Sequence, residues 1–125
     1  MRVSAVMRNP NAPHVDFTPF LGMIESNPKF LPSNLDMVLE RNGNFLIAEW
    51  KRPGEGIKVG QMILLEALAR VPGFVVLIIT GDTDNGLNVH EVQRIGSDGN
   101  LKFVCDSPEE LLDQMREWYK KVSGP

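Results

Sequence analysis

The sequence predicts an α/β fold in which a mixed central β-sheet is flanked by helices. A turn signal at Asn42-Gly43 separates two apolar-rich runs and predicts a β-hairpin. The run 74–80 is continuously apolar and largely β-branched, which is typical of a central strand covered on both faces. Helical patterns over 57–71 and after Ser107 supply the flanking layers.

The hairpin signal also predicts which charged residues meet. If Asn42 and Gly43 form a two-residue loop, the strand pairing continues until Asp36 lies opposite Glu49. Side chains alternate along a strand, so Lys51 lies on the same face. A three-residue loop would slip the register and separate the two carboxylates. The predicted cluster therefore depends on the type of turn.

Opposed carboxylates repel each other, by roughly 3 kcal/mol at ~5 Å and an effective dielectric constant of about 20. Lys51 offsets part of this repulsion, and a hard divalent cation such as Mg²⁺ would offset it better. The alternative is a solvated strand face with a cross-strand salt bridge. The spacing of Asp36 and Glu49 across a strong turn signal favours the metal.

Asp36 followed by Glu49-Trp50-Lys51 resembles the Asp…Glu-x-Lys signature of the PD-(D/E)XK nuclease superfamily. A Pro-Gly loop, a helix carrying Gln61 and the apolar strand 74–80 follow. This order is similar to the VRR-NUC (virus-type replication-repair nuclease) branch, in which the catalytic Lys precedes a Pro-Gly loop and a helix with a Gln. The resemblance covers residues 34–82.

The resemblance implies a restriction-endonuclease-like core and a Mg²⁺ or Mn²⁺ cofactor. Asp36, Glu49 and the backbone carbonyl of Trp50 would bind the metal. Lys51 would orient the attacking water and stabilise the developing negative charge, and Gln61 would hold the water or a phosphate. Small nucleases of this branch are often viral, so a viral or phage source is expected.

The residues after the motif offer further contacts. The loop 53–56 is predicted to be mobile, with backbone N–H groups free to meet a phosphate. Arg52 and Lys58 are available for flanking DNA phosphates. Gln61 lies on the inward stripe of the helix 57–71, where it is either a functional amide or an ordinary buried one.

A short helix is predicted near the start of the chain, with Thr18 as N-cap, Pro19 at the first helical position and an end near Ser26. In this superfamily an acid on the first helix often reaches the metal site. Glu25 is therefore a further candidate ligand, and an exposed helix acid is the alternative.

The chain also departs from the superfamily. Another strand is expected between the first helix and the strand bearing Asp36, and 28–34 is too short and proline-rich to supply it. Either residues 2–7 fill that place or the sheet is rearranged. Leu35 precedes Asp36 where the superfamily signature has Pro.

The second half of the chain predicts three more features. Asp82 and Asp84 hint at a calcium loop, but Gln93 stands where an EF-hand needs its bidentate Glu, so we reject that interpretation. Strands over 88–95 and 101–104 predict an extra β-hairpin outside the family resemblance, shaping contact with a substrate or partner. A capping box at residues 107–110 begins a terminal helix. Its predicted apolar stripe comprises Leu111, Met115, Trp118 and Val122, widened by Leu112 and Tyr119.

Length and composition predict one domain over 1–125, since 125 residues support a single core. The formal net charge of −3 argues against a protein that simply coats nucleic acid. A single cysteine excludes an intrachain disulfide and a multi-thiolate zinc site. His14 and His90 lack ligand-like spacing, and no run is long enough for a signal peptide or a membrane span. We expect an intracellular, reduced (cytoplasmic) location and no membrane partner.

Two functions follow as hypotheses. The first is a metal-dependent DNA endonuclease, structure-selective in replication, repair or recombination, whose DNA partner is branched or single-stranded. The second is a non-catalytic module of nuclease fold that binds DNA or a protein partner. The complete Asp36, Glu49 and Lys51 set favours the enzyme, because a binding module has no need for opposed carboxylates. A homodimer is left open.

Overall fold

The computed structural model describes residues 16–124, which fall into two compact units divided between Asn34 and Leu35. The predicted strand over 2–7 and His14 lie outside the described residues. The second unit contains all the strands and both α-helices. The single domain over 1–125 stays a prediction.

The elements follow one another in this order: a 3₁₀-helix Thr18–Phe20, β1 Met37–Arg41, β2 Asn44–Lys51, α1 Val59–Ala69, β3 Phe74–Asp82, β4 Asn88–Ile95, β5 Leu101–Cys105 and α2 Pro108–Ser123.

The predicted helix from Thr18 to about Ser26 is wrong beyond its first turn. The Asp16 carboxylate accepts hydrogen bonds from the Thr18 N–H and hydroxyl, both at 3.0 Å. Leu21 then leaves the helical region, with φ −57° and ψ 132°. The Gly22 N–H then donates to the Pro28 carbonyl at 2.8 Å, and Gly22 has a φ of 80°, so the helix ends after a single 3₁₀ turn.

One five-stranded mixed sheet forms the centre of the second unit, and its spatial order is the chain order β1-β2-β3-β4-β5. β1 and β2 are antiparallel, β2 and β3 are parallel, and the last two pairings are antiparallel. This confirms the mixed central sheet flanked by helices. Within residues 16–124 no strand precedes β1, so the described sheet has no additional superfamily strand at that edge.

The first hairpin has the predicted two-residue turn. Asn42 and Gly43 have φ values of 53° and 80°, the positive pair that a type I′ turn requires. Arg41 pairs with Asn44, and the register runs on to Met37 opposite Ala48. The register is therefore the one that the sequence predicts.

α1 connects the parallel strands β2 and β3 and covers one face of the sheet. Leu65 and Ala69 are buried against Ile47, Val76 and neighbouring apolar residues. α1 packs chiefly on β3 and β4. β3 is buried on both faces, as its continuous apolar run predicts.

α2 covers the other face. Ser107 caps it, because its hydroxyl accepts from the Glu110 N–H at 3.2 Å and donates to the Glu110 carboxylate at 2.9 Å. Leu111 and Trp118 are buried in the core of this face. The predicted widening of the stripe is wrong, because Leu112 and Tyr119 are exposed. β4 and β5 form the predicted second hairpin and extend the same sheet.

The end of α2 is tied to the first hairpin by polar contacts. The Arg41 guanidinium carbon lies 4.9 Å from the centroid of the Tyr119 ring, a cation–π arrangement. Arg41 Nε donates to the Ser123 hydroxyl at 3.0 Å, and the Asn42 side chain donates to the Val122 carbonyl at 3.1 Å. The Tyr119 ring therefore lies against the Arg41 guanidinium outside the core.

Two glycines offer a matched test of this fold. A Cβ on Gly81 would lie 2.1 Å from the Asn88 carbonyl oxygen, where β3 and β4 approach at a register shift. Gly81→Ala must displace backbone, so we expect a loss of at least about 2 kcal/mol of unfolding free energy. A Cβ on Gly60 in α1 would meet nothing within 4 Å. Gly60→Ala should therefore stabilise the protein by about 0.5–1 kcal/mol. Urea unfolding of both variants measures the difference, and equal effects would contradict the close approach.

Candidate active site

Glu49 and Lys51 lie near the end of β2, on the face that α1 partly covers. Ile47 belongs to the apolar core of that face, and side-chain alternation carries Glu49 and Lys51 to the same side. Trp50 faces the other way and packs against the core beneath α2. β2 thus presents charged side chains on one face, while Trp50 on its other face anchors the strand in the core.

Asp36 joins them from the other strand of the hairpin. It precedes β1, so the predicted Asp36–Glu49 pair lies just outside the strand ladder. Asp36 Oδ2 accepts a hydrogen bond from the Trp50 backbone N–H at 2.9 Å. In a longer antiparallel ladder this N–H would bond to the carbonyl of Leu35. The Asp36 carboxylate thus replaces a backbone carbonyl as the acceptor for the Trp50 N–H. This hydrogen bond holds Asp36 beside Glu49.

Lys51 is the cation of the cluster. Its Nζ lies 3.2 Å from Glu49 Oε2 and 3.9 Å from Glu55 Oε2, and its side chain is only 12% exposed. One ammonium group therefore faces two carboxylates in a largely enclosed position.

Glu49 is the buried charge of the site. The residue is 3% exposed, and its Oε1 has no hydrogen-bond partner in the described part of the chain. Burial and, second, the nearby Asp36 carboxylate raise the pKa of the Glu49 carboxyl to about 7, although Lys51 acts in the opposite direction. A buried carboxylate oxygen without a donor is costly unless another group binds it.

The loop after Lys51 differs from its prediction at one N–H group, that of Glu55. The Glu55 N–H donates to the Arg52 carbonyl at 2.9 Å, which closes a tight turn. The Arg52 N–H donates to Glu55 Oε1 at 2.9 Å. These two N–H groups are therefore engaged within the loop and are not free to meet a phosphate. The Glu55 side chain folds back towards the strand end, which brings its other oxygen near Lys51.

Arg52 is engaged by the loop between β3 and β4. Its guanidinium donates to both Asp84 oxygens, at 2.6 and 3.2 Å, and lies 3.9 Å from Asp82. The Arg52 hydrogen bonds lower the pKa of Asp84. Asp82 in turn accepts from the Asp84 N–H and from Asn88. The two acids that hint at a calcium loop thus bind a guanidinium group of the same chain.

Two further predicted residues, Gln61 and Lys58, lie on or beside α1. Gln61 is half-buried, and within residues 16–124 it makes no hydrogen bond to Asp36 or Glu49. Lys58 is exposed at the N-cap position of α1. Glu25 is exposed on a turn of the first unit, and its metal-binding role stays a prediction.

The cluster suits a small, hard cation. Asp36 and Glu49 provide carboxylate oxygens, and the unpartnered Glu49 Oε1 can accept a cation directly. Within residues 16–124 no group of three or more acidic, His or Cys side chains forms a larger ligand set. Mg²⁺ keeps several waters and is commonly held by one or two carboxylates, so two are enough.

No protein-family model, curated protein or solved structure matches this chain. The nuclease resemblance stays a prediction from the motif. None of the helices in the described range has the length and apolar character that a membrane span requires.

Sequence reasoning missed three acids of the site: Glu55, Asp82 and Asp84. Glu55 follows Lys51 by four residues within a Pro-Gly loop, and this spacing was a usable signal. Asp84 is 32 positions from Arg52, and no local pattern connects them.

The raised pKa of Glu49 predicts a pH-dependent stability. The folded protein holds the Glu49 proton more tightly than the unfolded chain, with a pKa of about 7 against 4.5. Stability is therefore lost as pH rises from 4.5 to about 7, by up to about 3 kcal/mol. Glu49→Gln removes this titration. We expect the unfolding free energy of wild type, relative to that of the variant, to fall over this pH range in urea titrations without metal. A constant difference would contradict the burial of an ionisable Glu49.

Asp36→Asn separates charge from hydrogen bonding at the same site. The asparagine oxygen can still accept from the Trp50 N–H, while one of two mutually repelling charges disappears. In EDTA we expect the variant to melt at or above the wild-type temperature, although most substitutions destabilise. Mg²⁺ or Mn²⁺ should raise the wild-type melting temperature more than that of the variant. A clear loss of metal-free stability would mean that repulsion between the carboxylates is not significant.

Proposed function

We propose that this chain is a Mg²⁺- or Mn²⁺-dependent DNA endonuclease with a restriction-endonuclease-like core. The observation that carries the proposal is the buried Glu49 carboxylate, held between Asp36 and Lys51 with one oxygen unpartnered. The order of hairpin, α1 and parallel strand β3 is compatible with the core that the resemblance implies. The predicted extra hairpin would be β4 and β5.

Asp36 and Glu49 would hold the metal, and the Trp50 carbonyl is a further ligand that the resemblance implies. When bound, the metal would supply a more acidic water and neutralise charge on the phosphate. Its presence would also compensate the repulsion between the two carboxylates. The position of Asp36 is fixed by the Trp50 N–H, so this ligand needs no rearrangement to face the site.

Lys51 would act on the reacting phosphate. Glu49 and Glu55 hold its ammonium group in the cluster, and the Lys51 side chain has little contact with solvent. An ammonium group in a partly enclosed site stabilises negative charge that develops on the phosphate oxygens, and it can orient the attacking water. Gln61, Arg52 and Lys58 would contact the water or flanking phosphates.

Lys51→Ala tests this role. Purified wild-type protein should nick DNA in Mg²⁺ or Mn²⁺ and not in EDTA. If Lys51 acts in the transition state more than in binding, its loss should reduce the cleavage rate by about a hundredfold or more and change metal affinity little. Gel assays on single-stranded, duplex and flap DNA measure cleavage, and calorimetric Mn²⁺ titration measures metal affinity.

Arg116→Ala is the control, because Arg116 is exposed on α2 and pairs only with Asp113 there. It should cleave DNA as wild type does. If Lys51→Ala loses metal affinity and cleavage equally, Lys51 is a structural counter-ion. If wild type cuts no form of DNA in either metal, the non-catalytic binding module becomes the better hypothesis.

A further inference from the structure

Arg52, the residue next to Lys51 that would contact a flanking phosphate, is already paired with an acid, Asp84, that has no role in the proposed function. Arg52 lies at the same end of β2 and presents its guanidinium to the loop between β3 and β4. The Asp84 carboxylate accepts two hydrogen bonds from it, at 2.6 and 3.2 Å. This bidentate arrangement is the one that an arginine makes with a phosphate group.

The pair is accessible to solvent. The Arg52 side chain is 41% exposed and that of Asp84 is 36% exposed. Exposed ion pairs contribute little to stability, and an incoming anion can compete for the guanidinium. Asp84 lies in an exposed loop, whereas Asp82 at the end of β3 is less exposed and is fixed by Asn88.

The local charge makes the competition significant. Five carboxylates lie around the two cations at this end of the sheet: Asp36, Glu49, Glu55, Asp82 and Asp84. A polyanion approaching Lys51 therefore meets a net negative surface. Asp84 adds to this in two ways, because it repels phosphate and also occupies the cation that would bind it.

We infer that Asp84 is a phosphate-competing gate on Arg52, and that a nucleic-acid phosphate binds Arg52 by replacing the Asp84 carboxylate. The inference rests on the proposed function, because it takes DNA as the polyanion. The exchange breaks no covalent bond and leaves Arg52 charged throughout. Asp84 thus lowers the affinity for DNA and limits binding to substrates that also contact the metal site.

Asp84→Asn tests the exchange by removing the competing charge and keeping the side-chain size. Binding is measured in Mg²⁺ with a labelled single strand and a flap duplex, in the Lys51→Ala background so that cleavage does not interfere. We expect the additional Asp84→Asn substitution to tighten binding about three- to tenfold. The dependence of log affinity on log salt should become steeper by about 1, because one more phosphate contact releases counterions.

Asp113→Asn is the matched control. It removes the same charge from another exposed Asp–Arg pair, on α2. It should change DNA affinity less than about twofold in the same background. A second comparison adds Arg52→Gln. If Asp84 acts mainly by occupying Arg52, Asp84→Asn should then tighten binding much less than it does with Arg52 present, because only the direct repulsion between Asp84 and phosphate is removed.

The outcomes separate this inference from the proposed function. Tighter binding by Asp84→Asn without cleavage by wild type would support the gate and overturn the nuclease. Cleavage by wild type with no gain in affinity, or with an equal gain when Arg52 is absent, would overturn the gate and leave the nuclease. A variant with a lower melting temperature and weaker binding would show that the pair only fastens two loops, and no DNA binding by any variant would overturn both.

Discussion

The two-residue turn at Asn42-Gly43 is the constraint on which the site depends. A type I′ turn places hydrogen-bonded pairs at Arg41–Asn44 and at every second position beyond it. Continued one residue beyond the ladder, this register sets Asp36 opposite Glu49 at a non-hydrogen-bonded position, where opposed side chains approach most closely. A shift of one residue would turn one of these side chains to the other face of the sheet. A local backbone preference thus decides the electrostatics of a site six residues away.

The buried Glu49 carboxylate is a cost that the rest of the fold must offset. Lys51 compensates one of its oxygens, and the other has no donor within the described residues. Replacing such a charge with an apolar residue is often neutral or stabilising, so stability alone gives no reason for an acid at this position. Under the proposed function, a metal bound by both carboxylates would account for an acid at this position. A cation would turn the repulsion into an attraction and link folding stability to metal binding.

The two ends of the sheet differ in the side chains that they gather. At the end where β2 and β3 finish, the strand termini and two loops gather seven charged side chains from separate parts of the chain. At the other end, contacts of Arg41 and Asn42 with the last residues of α2 hold the first hairpin against the helix. Open α/β sheets commonly bind ligands beyond the carboxyl ends of their parallel strands, and this is where the charged cluster lies. The opposite end fixes the position of the hairpin that supplies the carboxylates.

The sequence by itself determined the features that depend on short-range rules. These are the type of turn at Asn42-Gly43, the register that follows from it, the central position of β3 and the capping box at Ser107. It did not determine the end of the first helical turn, after which the Gly22 N–H donates to the Pro28 carbonyl, or the solvent exposure of Tyr119. Only the tertiary structure placed α1 chiefly over β3 and β4 and joined Arg52 to Asp84. Hydrophobic periodicity shows which face of a helix is buried, but the strand it lies over depends on how the whole sheet packs. Contacts across 32 residues have no sequence period at all, so only the folded chain reveals them.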